Sequence, residues 1–235
     1  MRRITGLAIL LLTSLPALAL EGYVAVYEVK SKGLTAISET SLKKTGSAAD
    51  GAIFEFRSTS KTKGLARLIR RAPAIEISRF RYDGEAFMPL EFHFINGKES
   101  DERSNHILFS GNDASSSYKG ESVSIAMKPG YVDRALEQVV VRHSLQDNDF
   151  KERLLVVDRN EVREIDYTAE GTESIDTVLG TMQAISLLRQ RPGSSRRTRI
   201  WYAIQLGYFP VRIEQMRNGE ITAVATLVSY RPIAN

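Results

Sequence analysis

The stretch IEISRFRYDGEAFMPLEFHFING, residues 75–97, reads as a unit of antiparallel sheet. In Ile75–Tyr82 and Leu90–Ile95 large apolar side chains alternate with polar ones, the period of two that a half-buried strand requires. Asp83-Gly84 lies between them as a turn dipeptide. Asn96-Gly97 after them predicts a type I′ hairpin turn, because both residues accept the positive φ that such a turn needs.

The same pattern extends in both directions. Tyr23, Ala25, Tyr27 and Val29 share one face of residues 23–30, while Phe54 and Phe56 point opposite to Glu55 and Arg57 in residues 53–60. Further strands are predicted over 103–110, 122–127, 153–157, 161–169, 181–189, 199–203, 211–216 and 222–229. Pro192-Gly193-Ser194-Ser195 and Asn218-Gly219 supply turns, and residues 112–117 read as a polar loop. One segment breaks the rule. In Val132–Leu145, Val132, Ala135, Leu136, Val139, Val140 and His143 fall on one helical stripe, and Asp133 and Glu137 then fall one turn apart on a solvated face. A shorter helical piece is predicted at Leu65–Arg71. Short strands with frequent turns and one inserted helix describe an antiparallel meander in a single domain.

The chain has 235 residues, no Cys and a formal charge of +4. Without Cys there are no disulfides, thiolate metal sites or cysteine nucleophiles. Arg2 and Arg3, the apolar run to Leu15 and Ala17-Leu18-Ala19 form the three parts of a secretory signal, predicted over residues 1–19. The mature β domain then spans 20–235, about 216 residues, and is expected in the periplasm. Loss of Arg2 and Arg3 lowers the net charge to +2, which removes any global field for nucleic acid. No later segment is apolar enough for a membrane-spanning helix.

Motifs of catalysis are absent: there is no G-x-S-x-G elbow, P-loop or dinucleotide fingerprint, and His93, His106 and His143 lack metal-ligand spacing. No metal or cofactor is expected. Two basic clusters stand out as candidate anion sites, because Arg forks and Lys ammonium groups match phosphate and carboxylate oxygens. One comprises Lys61, Lys63, Arg67, Arg70 and Arg71; the other comprises Arg189, Arg191, Arg196, Arg197 and Arg199 around a hairpin tip. Trp201, Tyr202, Phe54 and Phe56 are candidate lining for a ligand cavity, with sheet core as the competing role.

Short motifs in order along the chain resemble a bacterial exported family, domain of unknown function 3108 (DUF3108). They are Tyr27-Glu28-Val29, Lys32-Gly33-Leu34, Ser60-Lys61-Thr62-Lys63-Gly64-Leu65 and Asp133-Arg134-Ala135-Leu136. Leu179-Gly180-Thr181-Met182-Gln183-Ala184, Trp201-Tyr202-Ala203, Tyr208-Phe209-Pro210-Val211-Arg212-Ile213-Glu214 and Leu227-Val228-Ser229-Tyr230 follow. The resemblance implies a mainly β fold in the cell envelope, a single strongly curved antiparallel sheet or open barrel with one central helix. It carries no activity and no catalytic residues. The expected function is binding of a lipid, lipoprotein segment or other amphipathic ligand, or of an anionic envelope component. The alternatives are a scaffold with a filled core that docks a partner on a sheet edge, and an envelope hydrolase built on Asp133, Glu137 and His143.

Overall fold

The computed structural model describes residues 20–64 and 72–233. The predicted signal segment and the short helix expected at Leu65–Arg71 lie outside them, as do Arg67, Arg70 and Arg71. Two meanders build the fold. The first is Gly22–Ser31 (β1), Leu34–Ala48 (β2), Gly51–Thr62 (β3), Ala74–Tyr82 (β4), Phe87–Asn96 (β5), Asn105–Ser110 (β6), Asp113–Tyr118 (β7) and Glu121–Ala126 (β8). Tyr131–Asp133 (β9) then leads into the helix Leu136–Gln146 (α1). The second meander is Arg153–Asp158 (β10), Glu161–Thr177 (β11), Gly180–Gln190 (β12), Arg196–Ala203 (β13), Phe209–Arg217 (β14) and Glu220–Ile233 (β15).

Pairing of β1 with β15 joins the meanders into one open sheet of 15 strands, with β8 and β9 at its ends. Every pairing is antiparallel except β9 with β10. The expected fold class is therefore present: mainly β, one sheet, one helix. Irregular register steps at Val26/Tyr27, Lys44/Gly46, Arg79/Phe80, Ala169/Gly171, Trp201/Tyr202 and Gln215/Met216 bend the strands as bulges do. The bending brings the two halves face to face, where side chains rather than a backbone ladder bridge them. Ser78 donates to Asp133 Oδ2 at 2.6 Å, Arg134 Nε to Glu76 at 2.7 Å, Asn105 Nδ2 to Asp158 at 3.2 Å and Ser116 to Asn160 Oδ1 at 2.9 Å.

The helix occupies the inside of this curve. Leu136, Val139, Val141 and Leu145 are buried, but so are Glu137, Arg142, His143 and Ser144. The solvated carboxylate face predicted for this segment is thus corrected: Glu137 is 1% exposed and Asp133 is fully buried. Its first residues are also corrected. Tyr131–Asp133 form a strand, and Asp133 Oδ1 accepts from the backbone N–H groups of Ala135 and Leu136, both at 2.9 Å. That carboxylate satisfies donors that the first helical turn leaves open. At the other end Arg142 and Gln146 both donate to the carbonyl of Gly207 at 3.0 Å. Gly207 has φ 59°, and a Cβ there would meet Gln146 Nε2 at 3.0 Å, so glycine serves both the turn and the contact.

Aromatic rings fill the remaining interior. Phe80 is fully buried between Phe54 and Phe87, and Phe209 packs among Tyr23, Tyr27 and Tyr230. Each such burial contributes about 1.5–3 kcal/mol. Asn218-Gly219 forms the predicted turn, with φ 52° and 85° between paired Arg217 and Glu220. Asn96-Gly97 does not form the predicted two-residue turn. Ser104 accepts from Asn96 N–H and donates to the Lys98 carbonyl, so a loop over 97–104 precedes β6. Residues 112–117, predicted as loop, contain most of β7. Their inward side chains are Ala114 and Ser116, small enough for close packing but too weakly apolar to mark a strand.

Candidate functional site: an arginine-lined cleft

In a meander, every second turn falls at the same end of the sheet. The β1–β2, β10–β11, β12–β13 and β14–β15 turns therefore cluster, and parallel pairing with β10 brings the end of β9 to them. Each carries basic residues: Lys32; Arg159 and Arg163; Arg191, Arg196 and Arg197; and Arg217, with Arg134 following β9. They line one cleft of ≈ 610 Å³, joined by Arg189 and by a single carboxylate, Asp158. Four members of the predicted second cluster, Arg189, Arg191, Arg196 and Arg197, are thus brought together here. Arg199 is not. It lies further along β13, on the same face as Arg197 and opposite to Arg196, and its Nε and Nη2 donate to Glu170 at 2.6 and 2.9 Å. Lys61 and Lys63 stand at the end of β3 and do not line the cleft.

The cleft has two kinds of cation. At its floor each guanidinium is held by protein carboxylates. Asp158 is buried and accepts from Arg163 at 2.6 Å, with Arg159 at 3.7 Å and Arg134 at 3.8 Å. Arg134 also pairs with Glu76 and lies over the rings of Phe92 and Phe94. Arg189 makes a bidentate pair with the buried Glu137, at 2.7 and 2.8 Å, and Tyr167 donates to the same carboxylate at 2.7 Å. Burial pulls the Arg189 pKa down, but Glu137 and Tyr167 more than offset this and hold it above the ordinary guanidinium value. Burial first, and then the Glu137 charge, push the Tyr167 hydroxyl well above the usual phenol range. This triad is how α1, β11 and β12 are tied together.

At the rim the pattern reverses. Lys32, Arg196, Arg197 and Arg217 have no carboxylate within 4.0 Å among the described residues, and Arg191 reaches Glu161 only at 3.5 Å. Arg196 and Arg217 are direct cross-strand partners in the β13–β14 register. Like charges placed opposite on one face destabilise a strand pair. The signal for the floor residues Arg134, Asp158, Arg159 and Arg163 was absent from local sequence, because they converge only through the parallel β9–β10 contact and the β10–β11 turn.

The aromatic candidates have other surroundings. Phe54, Phe56, Trp201 and Tyr202 are all buried, and none lines the cleft. Trp201 donates its indole N–H to Glu173 at 2.7 Å and is flanked by the guanidinium groups of Arg199 and Arg212. Tyr202 faces the interior, where burial raises its pKa. Of the hydrolase candidates, Asp133 lies at the seam, Glu137 is bound to Arg189, and His143 meets Tyr82 OH at 2.7 Å and Asp147 at 3.1 Å. Those three groups have separate partners rather than a shared cleft. His93 and His106 are cross-strand neighbours with ring centroids 4.7 Å apart, and His106 Nε2 lies 2.9 Å from Glu91. Among the described residues no group of three or more side chains is arranged to hold a metal ion. No helix among them is long and apolar enough to cross a membrane.

The fold has relatives of known structure. A β-barrel-like protein of domain of unknown function DUF1849 from Brucella abortus superposes with TM-score 0.57 at 10% identity, covering 92% of this chain and 99% of that one. A Bacteroides fragilis protein predicted to be exported, of YmcC-like fold, aligns over 90% of this chain and 96% of its own, with TM-score 0.39 and 16% identity. A predicted lipoprotein from Parabacteroides distasonis gives 0.37 and 13% over the same shares. No curated protein matches the chain. The family described as protein of unknown function (DUF3108) matches residues 26–226, and the chain belongs to that family.

Proposed function

We propose that this is an exported binding protein that takes an anionic component of the cell envelope in the arginine-lined cleft. The observation that carries this reading is the rim: Lys32, Arg196, Arg197 and Arg217 converge with no carboxylate among the described residues within 4.0 Å to neutralise them. Floor cations of the same cleft are each paired, so the difference lies in the rim and not in the cleft as a whole. The interior of the sheet is filled by α1 and aromatic rings, which favours the cleft over the concave face as the binding position. An amphipathic ligand is still accommodated. Leu34, 46% exposed, and Ile221, 56% exposed, stand beside Lys32 and Thr222 at the rim and offer an apolar lip.

Titration of the mature protein with heparin tests the site. Binding is expected to fall with added salt, as contacts between exposed charges do. Replacing both Arg196 and Arg217 by Glu is expected to weaken it by roughly tenfold or more, with the melting temperature preserved. Unchanged binding by that variant would remove the cleft from consideration.

A further inference from the structure

Resting on the reading of the cleft as an anion site, we infer that its ligand carries two phosphate monoester groups, on a lipid head or on a free sugar or polyol. Arg134, Arg163 and Arg189 already have Glu76, Asp158 and Glu137 as close partners. Among the described residues Lys32, Arg196 and Arg217 have no carboxylate partner, and Arg197 is a fourth cation that also feels Glu170. A single carboxylate supplies one negative charge and cannot balance three or four cations. A phosphate monoester carries about −1.5 to −2 at neutral pH, so two of them supply about −3 to −4. Donor geometry agrees with the count. Arg196 and Arg217 face each other across β13 and β14 and present two planar forks to one tetrahedral oxyanion, while Lys32 adds a mobile point charge from the adjacent turn. That turn is tied to β15 by the Ser31 hydroxyl, which donates to the Thr222 carbonyl at 2.8 Å. Lys32 therefore sits on an anchored element. The volume of ≈ 610 Å³ accommodates a sugar with two phosphates, being within the range of small-molecule sites.

The test uses the whole mature chain and calorimetric titration with glucose 1,6-bisphosphate, glucose 6-phosphate and citrate. Flotation with phosphatidylcholine vesicles carrying either phosphatidylinositol 4,5-bisphosphate or phosphatidylinositol forms the lipid arm. In at least one arm the doubly phosphorylated probe is expected to bind about tenfold or more tighter than its partner with one phosphate or fewer, the ratio that 1.4 kcal/mol represents. The arm that shows the preference identifies the source, free or lipid-borne. Replacing Arg196 and Arg217 by Gln is expected to erase the preference while leaving the unfolding transition in place. Equal affinity for one and two phosphates in both arms, or citrate binding as tightly as the bisphosphate, overturns this inference even if heparin still binds through the rim. Loss of heparin binding along with the rest overturns the anion-site reading itself.

Discussion

Ser78 and Asp133 are joined by a 2.6 Å hydrogen bond between β4 and β9, two strands that share no backbone ladder. The bond lies on a seam where an open sheet meets itself through side chains. Asp133 is the central residue of that seam, since it also organises the first turn of α1.

Burial pushes the Asp133 carboxyl up to about 7, although Ser78 and the N–H groups of Leu136 and Ala135 pull it down. In the window between its unfolded value, near 4, and about 7, the folded state therefore binds the extra proton. Stability then falls as pH rises through that window, by at most about 1.4 kcal/mol per pH unit from this group. Asp133→Asn keeps the acceptor and is expected to abolish that part of the slope. Urea unfolding at pH 5, 7 and 8.5 measures it, and an unchanged slope in the variant would assign the pH dependence to other groups.

Glu137→Ala is expected to cost about 3–5 kcal/mol, because it leaves Arg189 and Tyr167 at the helix without their acceptor. Adding Arg189→Met should recover part of that loss by removing the unpaired charge. Thermal unfolding of the single and double variants gives the comparison. A double variant as unstable as the single one would mean that Arg189 has found another partner.

Phe80→Ala is expected to lose about 3–5 kcal/mol, the range for emptying a large aromatic site in a core. Its neighbours Phe54 and Phe87 belong to adjacent strands and cannot both collapse into the gap. Denaturant unfolding provides the number, and a loss below about 1 kcal/mol would contradict the packing described.

Gly51 begins β3 with φ 142°, and a Cβ there would sit 2.7 Å from the carbonyl oxygen of Tyr82. Gly51→Ala is expected to destabilise by about 1–3 kcal/mol through strain at the β2–β3 turn. Wild-type stability in this variant would show that the turn relaxes.

Local pattern was enough for much of the sheet. Alternation in Tyr23–Lys30 and Ile75–Tyr82 identified β1 and β4, and Asn218-Gly219 located a hairpin turn. It failed where side chains were small or polar, as in Ala114 and Ser116 of β7, and where Asn96-Gly97 opened into a loop stapled by Ser104. The helix was visible as a stripe, but its environment was not. Glu137 looks like part of a solvated face in one dimension and turns out to be internal, because β11 and β12 supply Tyr167 and Arg189 as partners, while His143, on the apolar stripe, meets Tyr82 of β4.

The sequence by itself determined the β character, the single helix and the cluster of arginines at the β12–β13 tip, since each depends on neighbours within one or two turns of chain. Only the tertiary structure decided which cations share a cleft and which of them are neutralised. Arg199 shares a face of β13 with Arg197 but lies two residues further from the tip, where Glu170 takes its guanidinium, whereas Arg197 at the strand end lines the cleft. Arg134 and Arg163 come from distant segments and reach the cleft because β9 and β10 run parallel into the same end of the sheet. Charge acts through space and is screened over about 8–10 Å in salt. The chemistry of this site is therefore set by which strand ends meet, a property of topology that no local stretch of sequence contains.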